Sequence, residues 1–244
     1  MKRVLRSEWI KFATVRTNII VVIAGIVVTL GLAALTAALV KLGPTATSGT
    51  ALQSATNPFL LYFLLILGVQ SFTQEYRFGT MRVTLTASPR RIDVFWSKLV
   101  ILGLVGVVTC VVYLAISFPV TMAILHQRGL PTALFSDHQV RQALFGYVAV
   151  CALGSALGAA VGALIRSTAL AVTLVLVWPL VIEQTMAGLL PKAVSKHLPF
   201  QTAQAAAQLP TKGYLDHWDG LATFALFTVV FVYVALTRFT RSDA

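Results

Sequence analysis

The chain has 244 residues, 57% of them hydrophobic and only 11% charged, with a mean hydropathy of +0.83. Soluble domains carry roughly one-quarter charged residues, so this balance excludes an ordinary soluble enzyme and points to an integral membrane protein. The net charge of +11 would invite a nucleic-acid reading in a soluble domain, but here the cations fall almost entirely between apolar runs, and no nucleic-acid partner is expected.

Residues 1–18 combine Val4, Leu5, Trp9, Phe12 and Val15 with five cations and one acid. This is the pattern of an amphipathic helix lying on a membrane surface, with Trp9 at headgroup depth. A spanning helix needs about 20 mostly apolar residues. Six candidates follow, at 19–40, 53–72, 99–125, 144–165, 169–190 and 221–237, so that residues 19–244 form one all-α transmembrane domain. The second is the least apolar, because its continuous apolar part covers only 58–68 and Asn57-Pro58 resembles a helix start. The first apolar run is longer than a signal-peptide core and follows a structured segment, so cleavage is not expected.

With the N-terminus in the cytoplasm, 13 of the 19 Lys and Arg residues lie in the inner pieces 1–18, 73–98, 166–168 and 238–244. The bias predicts both termini inside and retains the second span, without which the later cationic pieces would face outward. The inner segment 73–98 is dense in polar residues, and Gly79 and Pro89 bound a short helix within it. Two readings stand for this segment: an ordered element parallel to the membrane, or a cationic anchor that only fixes topology.

Within the spans, Gly154, Gly158 and Gly162 recur at four-residue intervals, a small-residue strip for close helix packing. A partner helix in this chain is preferred over a second copy. Cys110 and Cys151 lie in apolar segments without CxxC spacing and read as buried free thiols. Glu183 is the only acid inside any span, on a helix bent at Trp178-Pro179. It is either a translocation-path or gate residue, together with Gln184, Thr173 and Ser117, or a structural partner of Arg141, Arg128 or another polar group. Residues 191–220 form the longest outer piece, a re-entrant or surface segment in which a short helix over 201–208 is expected to lie on or dip into the outer leaflet, with Tyr214 and Trp218 at the interface.

The chain holds no G-x-x-x-x-G-K-[ST], no H-E-x-x-H and no G-x-S-x-G. No catalytic residue, metal site or cofactor is therefore assigned to it, and the four histidines are expected to be solvated loop residues.

Gln74-Glu75-Tyr76-Arg77-Phe78-Gly79-Thr80, followed by Leu85, Pro89-Arg90-Arg91 and Lys98, resembles the cytoplasmic loop of bacterial ATP-binding-cassette type-2 permeases, with its pattern E-x-R-x-G-T, then Leu, Pro, Arg and Lys. Ser7-Glu8-Trp9-Ile10-Lys11 with Arg16 is similar to the E-W-x-K start of the actinobacterial branch. The resemblance implies a six-helix type-2 exporter fold with both termini in the cytoplasm of a bacterium. It implies a coupling helix in which Glu75, Arg77, Gly79, Thr80, Met81, Leu85, Pro89 and Arg90 engage a separate ATPase, with Glu75 and Arg77 pairing locally and Thr80, Met81 and Leu85 meeting the partner. Glu8, Trp9 and Lys11 would lie on a connecting helix. The partners implied are two ATPase subunits carrying ATP and magnesium, a second permease of the same or a related chain, and the lipid bilayer. A substrate such as a drug, antibiotic or lipid would be exported. A non-transporting anchor or sensor that recruits a cytoplasmic partner through the same loop is the alternative.

Overall fold

Helices end at capping and breaking residues rather than where hydropathy falls, and this sets the architecture. The computed structural model describes residues 2–40, 47–81, 86, 91–209 and 215–241, and among these every regular element is helical. α1 (Lys2–Thr14) leads into α2 (Arg16–Leu39), and α3 (Ser48–Ala55) with α4 (Phe59–Arg77) forms the second long apolar stretch. Next come α5 (Arg91–Gln127) and α6 (His138–Ile165). α7 (Thr168–Val177) passes through a π-helical turn (Trp178–Ile182) into α8 (Glu183–Leu189). Short α9 (Lys192–Ser195) and α10 (Pro199–Ala207) precede α11 (His217–Arg241). Among the described residues six stretches are long and apolar enough to cross a membrane, so this is a multi-pass membrane protein whose described elements are all helical.

The helices outrun their apolar windows. α4 continues through Arg77 and α5 already begins at Arg91, so the segment expected over 73–98 is helical at both ends and residues 78–90 connect them. The 37 residues of α5 would rise about 55 Å, well beyond a hydrocarbon core of about 30 Å. Its first turns therefore project past the apolar zone. α6 starts at His138 because the Asp137 side chain accepts the Gln139 N–H at 3.0 Å, a cap that hydropathy does not register.

The weak second span is broken at Pro58, which has no N–H and leaves carbonyls of the preceding turn without helical partners. Interior side chains replace those partners. Ser117 Oγ donates to Ala55 O at 3.2 Å, the Tyr147 hydroxyl donates to Asn57 O, and Asn57 Oδ1 accepts the Phe59 N–H at 3.1 Å. A broken backbone at membrane depth is tolerated where protein satisfies it. The apolar window of this span is 72% buried, against 17% for α2, which explains how a modestly apolar sequence occupies the centre of the bundle.

α6 is the hub, packed on α4, α5 and α11. A Cβ at Gly154 would strike the Leu61 side chain, one at Gly158 would lie 2.9 Å from the Leu65 carbonyl carbon, and one at Gly162 would lie 2.6 Å from Val69 O. The glycine strip thus lets α4 and α6 of this chain approach backbone to backbone. Cys110 and Cys151 are buried free thiols. α10 is sunk between α6 and α11, where a Cβ at Gly220 would lie 2.8 Å from Thr202 O. Trp218 is exposed, and Tyr214 lies outside the described residues.

Candidate functional site

On α1, Leu5 and Phe12 turn toward the core while Trp9 and Ile10 stay half exposed. Glu8 shares the inward face, three residues from Leu5 and four from Phe12, the spacing that aligns side chains along a helix. It is therefore drawn against the ends of α4 and α5. Its Oε2 lies 2.7 Å from Lys98 Nζ and its Oε1 lies 2.7 Å from Lys11 Nζ. Glu75 Oε1 completes the ring, 2.7 Å from Lys98 Nζ and 3.3 Å from Lys11 Nζ. Lys98 Nζ also donates to Ser71 O at 3.4 Å and stands 5.5 Å from the Phe72 ring centre.

Two carboxylates and two ammonium groups thus neutralise each other where α1, α4 and α5 meet. Lys98, Glu8 and Glu75 are 6%, 5% and 12% exposed, while Lys11 stays 43% exposed. Burial alone would raise the pKa of Glu8, but the Lys98 charge and hydrogen bonds from Lys11 and Lys98 outweigh it and hold the carboxyl below its ordinary value. Burial likewise opposes charge on Lys11, yet its bond to Glu8 and the field of Glu75 raise it above its ordinary value. Glu75 Oε2 is buried without a hydrogen-bond partner.

Several expectations for the loop change. Glu75 pairs with Lys98 and Lys11, not with Arg77, whose guanidinium instead lies 5.7 Å from the Phe78 ring centre. Met81 is 2% exposed and packs in the core with Phe72 and Phe95, so it fastens the loop to the bundle instead of facing outward. Arg77, Phe78, Gly79 and Thr80 are exposed, and Gly79 takes the left-handed conformation, φ 68°, that glycine adopts without steric cost. Leu85, Pro89 and Arg90 lie outside the described residues. At the end of α6, Arg166 sits 5.1 Å from the Tyr76 ring centre, tying α6 to the same end of α4.

The four residues considered for a translocation path do not converge. Ser117 is buried against Ala55 O, whereas Thr173 and Gln184 are exposed on the outer surface of α7 and α8. Glu183 is fully buried, and its Oε1 accepts the Gln201 N–H at 2.7 Å. Gln201 lies in the first turn of α10, where N–H groups lack helical partners and the helix dipole favours an anion. Arg141 and Arg128 instead bond backbone carbonyls, at Ser136 and Ala37.

The π-helical turn helps aim Glu183. Buried Ala171, Val175, Pro179 and Glu183 recur every four residues, a row that would drift by about 120° along a regular α-helix. The wider turn offsets part of that drift and keeps the row on one face.

His217 also departs from expectation. It is 5% exposed, and neither ring nitrogen has a hydrogen-bond partner. Among the described residues no group of three or more His, Cys, Asp or Glu side chains is placed to hold a metal.

The pairing of Glu8 with Lys98 was not readable from sequence, although Glu8, Glu75 and Lys98 each belonged to a motif. The available signal was that all three sit within a few turns of the ends of apolar runs, so folding brings them to one level.

No curated protein matches the chain. A family model described as "Protein of unknown function (DUF2705)" matches residues 40–244, a region that includes Glu75, Lys98 and Glu183 but not Glu8 or Lys11. The chain therefore belongs to the DUF2705 family.

Proposed function

We propose that this protein is the permease subunit of an ATP-driven ATP-binding-cassette exporter. Both termini lie in the cytoplasm and the substrate is a lipophilic or amphipathic molecule, such as a drug, antibiotic or lipid, moved across the bacterial plasma membrane. The observation that carries the reading is the buried ring of Glu8, Lys11, Glu75 and Lys98. It fuses both flanks of the 78–90 connection to the N-terminal helix, so a push on that connection moves α1, α4 and α5 together. A segment that merely fixed topology would need its cations in water, not buried charges whose desolvation must be offset by close geometry.

In this reading Arg77, Phe78 and Thr80 face the ATPase, and Met81 holds the loop to the lever. Two ATPase subunits bind ATP and magnesium, and a second permease completes the assembly. ATPase closure then shifts the fused unit between inward-facing and outward-facing states. This chain performs no chemistry on the substrate.

The test is purification of the tagged protein from its native cells in mild detergent, with identification of co-purifying proteins and an ATP hydrolysis assay. A stoichiometric ATPase subunit is expected. Its absence, with the permease intact, would overturn the transporter reading in favour of a membrane anchor or sensor.

A further inference from the structure

The ion ring forms one wall of a cavity of about 630 Å³ at the α1 end of the bundle. Small-molecule sites typically enclose about 300–1,000 Å³. Phe12, Val15 and Ile101 contribute apolar lining to this cavity, and Gln70 and Gln74 add amide groups.

The charge that a ligand would meet there is positive. Among the described residues three cations, Lys11, Lys98 and Arg77, line the cavity against two acids, Glu8 and Glu75. Both acids are largely buried and bonded to lysines, and the remaining Glu75 oxygen, Oε2, is itself buried. Arg77 is exposed at the rim and forms no ion pair among the described residues, and Lys11 is half exposed beside the ring. The neighbouring α1 has the composition of a helix lying on a membrane surface. α1 carries exposed Trp9 and Ile10 on its outer face, and the chain turns from α1 into α2 at Val15, which is itself part of the cavity wall.

We propose that this cavity binds one anionic phospholipid from the leaflet on the α1 side. Its phosphate is held by the Arg77 guanidinium, the cation left over once the ring has neutralised itself, and its glycerol and upper acyl region lie against Phe12, Val15 and Ile101. Arginine suits the role because its planar fork bonds two phosphate oxygens at once. A neutral headgroup of the same size would leave the excess positive charge without a partner. The inference depends on the membrane location of the chain; it shares Arg77 with the transporter reading, but lipid retention by the isolated chain is read without the ATPase, so the two can fail separately.

The experiment is native mass spectrometry of the full chain in detergent, titrated with dioleoyl phosphatidylglycerol or dioleoyl phosphatidylcholine. One phosphatidylglycerol adduct per chain should survive activation that strips phosphatidylcholine, and Arg77→Gln should weaken it by roughly tenfold. Arg6→Gln, which removes an exposed cation that does not line the cavity, should leave it intact. Ser71→Leu, which narrows the cavity without touching a charge, should also reduce retention while circular dichroism confirms the fold.

Equal retention of both lipids would overturn the proposal. So would equal loss in Arg6→Gln and Arg77→Gln, which would place the lipid in a diffuse surface field. Undiminished retention in Ser71→Leu would place it outside the cavity and overturn the proposal as well. Displacement of the adduct by millimolar inorganic phosphate would show a phosphate site that does not read lipid, and would count against it too.

Discussion

Lys98 Nζ and Glu8 Oε2 lie 2.7 Å apart with side chains only 6% and 5% exposed, joining an interior helix to a surface helix through buried charge. Removing one member of such a pair strands the other, at a cost of about 3–5 kcal/mol, whereas replacing both by groups of similar shape is often close to neutral. Lys98→Met should therefore sharply lower the thermal stability of the purified protein. Adding Glu8→Gln and Glu75→Gln should recover a substantial part of the loss. Additive losses in the triple variant would show that the ring does not act as a unit.

The pH response of α1 follows from the same ring. The Glu8 carboxyl is held below its ordinary value of 4.5, so the stability it contributes is present above that value and is lost as pH falls through the lowered one. Lys11 is raised above 10.5, so its contribution is present below that value and disappears as pH climbs through the raised one. In a variant that keeps only Trp9 among the tryptophans, fluorescence should be flat across neutral pH and change below pH 4.5 and above pH 10.5. A transition near pH 7 would contradict this assignment.

Arg77 and Glu75, two positions apart in one motif, should behave differently when substituted. Arg77 is exposed, so Arg77→Glu should leave the melting temperature unchanged and, if the transporter reading holds, abolish stimulation of the partner ATPase. Glu75 bonds Lys98 and Lys11, so Glu75→Gln should lower stability and perturb coupling only through the altered ring. Stability measured beside hydrolysis separates the two effects, and a stability loss in Arg77→Glu equal to that of Glu75→Gln would contradict it.

Glycines inside the long helices should not be equally replaceable. A Cβ at Gly162 would meet Val69 O at 2.6 Å and force α4 and α6 apart, whereas a Cβ at Gly103 would meet nothing within 4 Å. Gly162→Ala should cost about 1–3 kcal/mol, and Gly103→Ala should be neutral or stabilising by up to about 1 kcal/mol through helix propensity. Unfolding of the two variants in the same detergent compares them directly.

Hydropathy revealed the six apolar stretches because membrane burial depends on composition. It did not reveal where helices stop, because Asp137 capping α6 or the unbroken run from Arg91 into α5 depends on local bonds and not on transfer energy. The Gly154, Gly158 and Gly162 strip was legible, since a four-residue spacing keeps small residues on one helix face. Met81 was not, because a single apolar residue after a glycine turn carries no periodicity to show which way it points. For Glu183 the sequence showed that a partner was required without showing that a backbone N–H of α10 supplies it. His217 was misread as solvated because its exposure is set by the packing of α10 on α11, a long-range contact that no local pattern encodes.

That Glu183 contact makes the last prediction. Glu183 Oε1 accepts the Gln201 N–H at the start of α10, which has no side-chain cap of its own. Glu183→Gln keeps an acceptor oxygen of the same reach, gives up any charge that favours the helix N-terminus, worth typically about 0.3–1 kcal/mol, and sets an amide NH2 where Oε2 is buried without a partner. Glu183→Ala removes the acceptor and leaves a buried N–H without a partner, costing about 1–3 kcal/mol. Stability should therefore fall in the order wild type, Gln, Ala, and protease cleavage at α10 should accelerate in the same order. If Glu183→Gln were as damaging as Glu183→Ala, keeping an acceptor oxygen would not be enough to hold α10 in place, and the acceptor role would fail.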